Sequence, residues 1–319
     1  MADWKTLSLV GGVLALLAMA TGVGQFLKLY PDTGINPAAV RIFNLRLRAW
    51  WLMCSVLAAA FLVGPTATVI LFFFLSFWAL REFITLTPTR LGDHRALFWV
   101  FVLFTPLQYV LIGMIGKNEL YNVLIPVYAF LFILTRVALT GDYKRFLERT
   151  AKIQAGLLIC VYCLSFAPAL LFLNLPKREG MEGANFRLLF FFILIVQLSD
   201  ALQFLWSKIA GRTVVAPTVS PSKTLEGFAG GTASATLLGA ALWWATPFEP
   251  WGAAGMSLLA SVMGFAGGMT MSSIKRDRGV KDYGTLVEGH GGVLDRIDSI
   301  CFAAPVFFHV TRFYFGVGG

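Results

Sequence analysis

Nearly every stretch of this chain that is not a short loop is a run of apolar residues long enough to cross a bilayer. Ten such runs can be drawn, at about residues 7–28, 49–63, 66–80, 96–115, 120–139, 153–173, 187–206, 224–245, 253–272 and 298–316. A transmembrane helix needs about 20 apolar residues. In hydrocarbon the backbone must satisfy its own hydrogen bonds, which restricts the spans to helices or a closed barrel. Runs of this length without two-residue alternation select the helical option. The fold class expected is therefore all-α, a polytopic bundle of about nine or ten spans. The second and third runs are short and meet at Gly64-Pro65, so a re-entrant pair, and hence nine spans, remains open. The first run continues to Leu29 and is read as a retained helix rather than a cleaved leader.

Charge supports the same division. Only 13% of the 319 residues are charged, about half the share in a soluble domain. The net charge of +9 would suit a nucleic-acid binder if spread over one surface. Instead 19 of the 26 Lys and Arg fall in alternate loops: Lys28 to Arg48, Arg81 to Arg95, Lys144 to Lys152, Lys208 to Lys223, and Lys275 to Arg296. Cytoplasmic loops carry this excess. The expectation is an inner-membrane protein with these loops inside, both termini outside and no nucleic-acid partner. Cys160 and Cys163 form a CxxC within an apolar run, where they are read as packing residues, and no disulfide framework is indicated. Arg136, inside the fifth run, is placed near a helix end where it can snorkel.

Positive loops need only Lys and Arg, so acidic residues among them require another reason. Residues 272–299 read SSIKRDRGVKDYGTLVEGHGGVLDRIDS and mix Asp277, Asp282, Glu288, Asp295 and Asp298 with five basic residues, His290 and Gly291-Gly292. Upstream stand Asp200 and the segment SPSKTLEG from Ser220. Carboxylates hold Mg²⁺, Lys and Arg neutralise phosphate, and glycines let backbone N–H groups approach phosphate oxygens. The combination suits phosphoryl or nucleotidyl transfer, where positioning and charge stabilisation dominate. Asp295 and Asp298, three apart, share a helix face. No zinc spacing and no Walker A loop is present.

The order of these residues resembles the phosphatidate cytidylyltransferase (CDP-diacylglycerol synthase) signature, with Ser272, Ile274, Lys275, Arg276, Lys281, Asp282, Gly284, His290, Gly291, Gly292, Val293, Asp295, Arg296, Ile297 and Asp298 in its places. Lys223, Thr224, Glu226 and Gly227 match a second family stretch, and Asp200 a third position. Glu288 stands where the family usually has Pro, and Gly267-Gly268 where many members have Gly-Asp, which marks a divergent branch. The resemblance implies transfer of CMP from CTP to phosphatidate, with Mg²⁺ on Asp200, Asp282, Asp295 and Asp298. It implies Lys275, Arg276, Lys281, His290 and Arg296 in the catalytic role, and Ser220, Ser222, Lys223, Thr224, Glu226, Gly291 and Gly292 at the substrate. A dimer is also implied. Residues 1–186 would form a scaffold and 187–319 the catalytic part. The alternatives are transfer to another membrane lipid or polyprenol, a non-catalytic lipid-binding relative, or a transporter, although Arg136, Asp200 and His309 form no obvious path.

The charge pattern predicts a labelling result. A single cysteine at Glu179 will react with an impermeant thiol reagent from outside intact cells, and one at Asp277 only after the membrane is opened.

Overall fold

The computed structural model describes residues 4–29, 37–87, 89–114, 119–175, 184–284 and 291–316. Among these, ten helices follow the ten apolar runs: α1 Trp4–Leu29, α2 Pro37–Val63, α3 Pro65–Leu86, α4 Leu91–Ile112, α5 Leu120–Ala138, α6 Phe146–Phe172, α7 Ala184–Ala210, α8 Leu225–Ala241, α9 Pro250–Asp277 and α10 Leu294–Tyr314. Six of them, α3 to α7 and α9, are long and apolar enough to cross a membrane by length and composition. A two-stranded antiparallel hairpin, β1 Val214–Ala216 with β2 Ser220–Thr224, links α7 to α8.

Local chemistry explains the boundaries. Pro65 opens α3 at a position where the missing N–H costs nothing, and Gly64 adopts φ 127°, a conformation open to glycine. The chain therefore breaks at Gly64 into two separate helices. Helix α2 also starts earlier than its apolar run and spans 27 residues, because Ala, Leu and Arg are good helix formers whatever their polarity. Arg41, Arg46 and Arg48, read from the sequence as loop residues, are thus helical. Helices α4, α5 and α6 each widen into a π-turn, at Val100–Phe104, Leu124–Ala129 and Leu158–Cys163. Pro106 and Pro126, which have no N–H to give the ladder, lie beside or within the first two.

One apolar core runs through the bundle, from Val69 and Phe72 on α3 through Leu164 and Phe166 on α6 and Phe191 and Phe192 on α7 to Phe307 and Phe308 on α10. Cys160 and Cys301 are buried in it as free thiols. Small residues set how closely the C-terminal helices approach: a Cβ on Gly231 would meet the backbone of Gln203 at 2.5 Å, and one on Gly239 would overlap Ser257.

Four of the five basic connections gather at one end of the bundle. Arg90, before α4, pairs with Asp142, before α6, at 3.1 Å. Arg149 of α6 reaches back to Asp93 of α4 at 2.6 Å, with both side chains almost fully buried at 4% and 1% exposure. Arg149 Nη1 also donates to the carbonyls of Asp142 and Lys144. Arg276 at the end of α9 donates to the Val219 carbonyl in the hairpin turn. At the opposite end Arg312 pairs with Glu119 at 2.7 Å.

Arg149 holds this basic end together. Replacing it by Ala leaves Asp93 buried and unpaired, at a cost of about 3–5 kcal/mol. The variant should show a clear fall in thermal midpoint in detergent. Arg149→Lys should restore only part of it, because Nε and Nη2 both contact Asp93.

Candidate active site

At the basic end, α7, the hairpin, α8, α9 and α10 enclose a cavity of about 190 Å³. Asp200 from α7, Lys223 from β2, and Asp298 and Ser299 from α10 line it together with Phe204, Phe228 and Phe265. Three separated parts of the sequence meet here because their helices close-pack through small residues. Lys223 packs against Gly268: a Cβ there would lie 2.5 Å from the Lys223 ammonium nitrogen, which would have to shift. The same ammonium sits 4.9 Å from the Phe265 ring centroid, a cation–π distance. Burial pulls the Lys223 pKa below its ordinary value, while Asp200 and Asp298 pull the other way. The Asp298 carboxylate accepts the Ser299 N–H at 2.7 Å, and the Ser299 side chain also reaches Asp200.

The segment between α9 and α10 forms a second, adjoining structure. Asp295 spends its oxygens within it: Oδ1 meets Lys275 at 2.8 Å, and Oδ2 accepts the N–H groups of Tyr283 and Gly292 at 2.8 and 2.9 Å. Lys275 lies 5.4 Å from the Tyr283 ring centroid, and the Tyr283 hydroxyl donates to the Met271 carbonyl at 3.0 Å. Gly291 has φ +77°, and a Cβ there would strike the Asp295 carboxylate at 2.6 Å; this position therefore needs glycine on two counts.

The sequence-derived site residues fall into distinct groups. Of the four carboxylates expected to share a cation, Asp200 and Asp298 line one cavity. Asp295 is held by Lys275 and two backbone amides, and Asp282 is exposed beside Gly291. Among the described residues no group of three or more His, Cys, Asp or Glu is close enough to hold a metal. Ser222, Lys223 and Thr224 line the cavity. Thr224 also caps α8, accepting the Gly227 N–H at 3.1 Å. Glu226 accepts the N–H groups of Arg212 and Thr213 at 3.0 Å and so fixes the start of the hairpin. Ser220 is buried at the base of β2. Arg276 joins the hairpin to the α9 terminus through the carbonyls of Val219 and Val280. Lys281 is exposed. Arg296 is half-buried, and its carbonyl accepts from Gln197 at 3.0 Å. His290 lies outside the described residues.

One residue at this end escaped the sequence reading. Glu82, at the end of α3 and only 5% exposed, accepts the N–H groups of Val293 and Leu294 at 3.0 and 2.9 Å. An acid beside Arg81 at the edge of an apolar run was a usable signal, of the kind already applied to residues 272–299.

With carboxylates, an ammonium and a glycine-rich turn at one end of a helical bundle, the comparisons with known proteins are decisive. A model described as the cytidylyltransferase family matches residues 44–314. The chain belongs to the cytidylyltransferase family. This membership makes it a nucleotidyltransferase with a CTP substrate. An uncharacterized protein of Escherichia coli (strain K12), YnbB, is 39% identical over 310 residues, 94% of this chain and 96% of that protein. The phosphatidate cytidylyltransferase of Staphylococcus aureus (strain COL) is 39% identical over 127 residues, 39% of this chain and 48% of that enzyme. That of Staphylococcus haemolyticus (strain JCSC1435) is 34% identical over 115 residues, 35% of this chain and 44% of that enzyme. The matches to these two enzymes thus cover about half of each.

At this candidate site, Gly268→Ala displaces the flexible end of Lys223 without touching backbone. The thermal midpoint should hardly change. Cytidylyl transfer should fall about tenfold, equivalent to ~1.4 kcal/mol in the barrier, as measured by pyrophosphate release.

Proposed function

We propose that this membrane cytidylyltransferase transfers CMP from CTP to phosphatidate, forming CDP-diacylglycerol and pyrophosphate for phospholipid synthesis. The observation that carries this reading is a cavity lined both by carboxylates and an ammonium and by three phenylalanines. Phe204 is 47% exposed on α7, so the apolar lining of the cavity reaches the outer surface of the protein. An acyl chain need not leave the bilayer to present its phosphate. That matters because each methylene moved into water costs about 0.8 kcal/mol. The S. aureus and S. haemolyticus relatives carry the same activity in their names.

The chemistry follows from charge. A phosphate oxygen of the lipid attacks the α-phosphorus of CTP in line. The bond from that phosphorus to the β-phosphate oxygen breaks, and pyrophosphate leaves with the electron pair. Both reactants are anions, so a site that joins them must supply fixed positive charge where water is scarce. Lys223 is placed in the cavity to do so. Lys275 and Arg276, one turn from the cavity at the end of α9, add positive charge beside it.

Mg²⁺ fits the donor set, because Asp200 and Asp298 together with the Ser299 hydroxyl offer only hard oxygen ligands. Magnesium is commonly held by one or two carboxylates plus substrate phosphates. Asp200 and Asp298 would hold it, and when bound it would neutralise charge on the triphosphate. Asp295 serves differently here, holding Lys275 and the backbone N–H groups of Tyr283 and Gly292. The basic end is assigned to the cytoplasm, where CTP is found, and its Lys and Arg favour an anionic lipid surface.

Purified protein with Mg²⁺, labelled CTP and phosphatidate should yield labelled CDP-lipid and one pyrophosphate per turnover. Asp298→Asn should lower the rate by about 10²–10³-fold, the scale of losing one transition-state electrostatic contact, with the protein still monodisperse in detergent. Transfer to a polyprenol or polyprenyl phosphate but not to phosphatidate would overturn the assignment of the acceptor.

A further inference from the structure

Glu82 belongs to α3, about 200 residues before the segment it touches, in the part of the chain expected to be only scaffold. Its two oxygens take one N–H each, Val293 on Oε1 at 3.0 Å and Leu294 on Oε2 at 2.9 Å. These are amides at the start of α10, which have no partner within the helix. A carboxylate is the preferred group for such a position because it accepts hydrogen bonds and meets the positive end of the helix dipole.

The grip extends to both sides of the 284–292 segment. A Cβ on Gly284 would lie 2.7 Å from Glu82 Oε1, and one on Gly292 would overlap the carboxylate. The neighbouring Phe83 stacks on Tyr283 at 6.4 Å between centroids and 17° between planes. Tyr283 in turn donates its N–H to Asp295. The end of α3 therefore clamps residues 283–284 upstream and 292–294 downstream. Asp295 is one residue beyond the clamp, and Asp298 is one helical turn further on.

We infer that Glu82 is a positioning residue for cytidylyl transfer, setting the register of the first turn of α10 and with it the direction of Asp298 into the cavity. The inference rests on the proposed reaction only for its kinetic readout. Helix α10 turns about 100° per residue, so a slip of even a fraction of a residue at its start swings Asp298 away from Asp200 and Lys223. Phe204, Phe228 and Phe265, the residues proposed to meet the lipid, come from α7, α8 and α9 and are not in the Glu82 contact.

This separation defines the test. Glu82→Gln keeps the shape but has one acceptor oxygen for two donors and turns an NH₂ toward the second. Its kcat should fall at least tenfold per folded molecule, with the KM for phosphatidate within about threefold of the parent. Hydrogen–deuterium exchange without substrate should show lost protection at Val293 and Leu294, spreading to Ser299. Gly292→Ala, which pushes against the carboxylate from the other side, should reproduce both effects. Glu82→Asp, a methylene shorter, should rescue neither.

A merely structural role would lower the thermal midpoint of Glu82→Gln and leave kcat per folded molecule within twofold of the parent. That result, or unchanged exchange at 293–299, would overturn the inference. If the parent protein transfers nothing to phosphatidate, the acceptor assignment fails while the exchange arm still decides whether Glu82 sets α10. If Glu82→Gln does not fold, Gly292→Ala carries the same two measurements.

Discussion

The site depends on Asp200, Asp298 and Lys223 being brought into one small cavity at the end of an apolar bundle. Two carboxylates at the edge of a low-dielectric region repel each other and lose hydration, and an ammonium alongside them offsets both costs. None of the three is near another in sequence. Their meeting requires α7, α8, α9 and α10 to approach closely, and glycines at 227, 231, 239 and 267 permit this. The glycines of this half of the chain are therefore as much a part of the site as its charges.

Asp295 shows how the same residue types divide the work. Three donors saturate its carboxylate, one of them the Lys275 ammonium and two of them backbone amides on either side of the 284–291 segment. A carboxylate so engaged is a structural fastener joining Lys275, Tyr283 and Gly292. Asp298 accepts the N–H of Ser299 at 2.7 Å and its hydroxyl at 3.4 Å and lines the cavity. The spacing of three placed both acids on one helix face, yet their neighbours assign them different tasks. Only the fold could distinguish them, because the partners of Asp295 come from residues 275, 283 and 292.

The bundle itself was legible because hydrocarbon leaves the backbone few choices: each apolar run became one helix, and the basic loops that alternate in sequence are joined in space by Arg90–Asp142 and Arg276–Val219. What the sequence blurred were places where polarity and helix propensity disagree. Helix α2 runs back to Pro37 through three arginines. The SPSKT stretch became a strand, since its hydrogen bonds go to Val214–Ala216 across a short hairpin. Thr224 and Glu226, which match a conserved-looking stretch, turn out to build that hairpin and cap α8, with Thr224 also lining the cavity. Lys223, Asp200 and Asp298 stand out as candidates by type and order; Glu82 is marked only by its place beside Arg81, and which distant amides it meets is set by the fold.

That long-range contact changes how the two parts of the chain relate. The N-terminal helices do more than occupy membrane: α3 carries Glu82 and Phe83 to the 283–294 segment, and α6 supports α3 from behind, where Gly156 admits Phe83 at a distance no Cβ would allow. The buried Arg149–Asp93 pair anchors the basic ends of α4 and α6 to each other. A chain of packed, hydrogen-bonded elements thus runs from α4 through α6 and α3 to the first turn of α10. Rigidity of this kind is what nucleotidyl transfer requires, since its barrier falls through fixed charges held in place rather than through a covalent intermediate. A bundle whose outer surface is fluid lipid can hold such charges still only by tying the start of α10 to helices on more than one side.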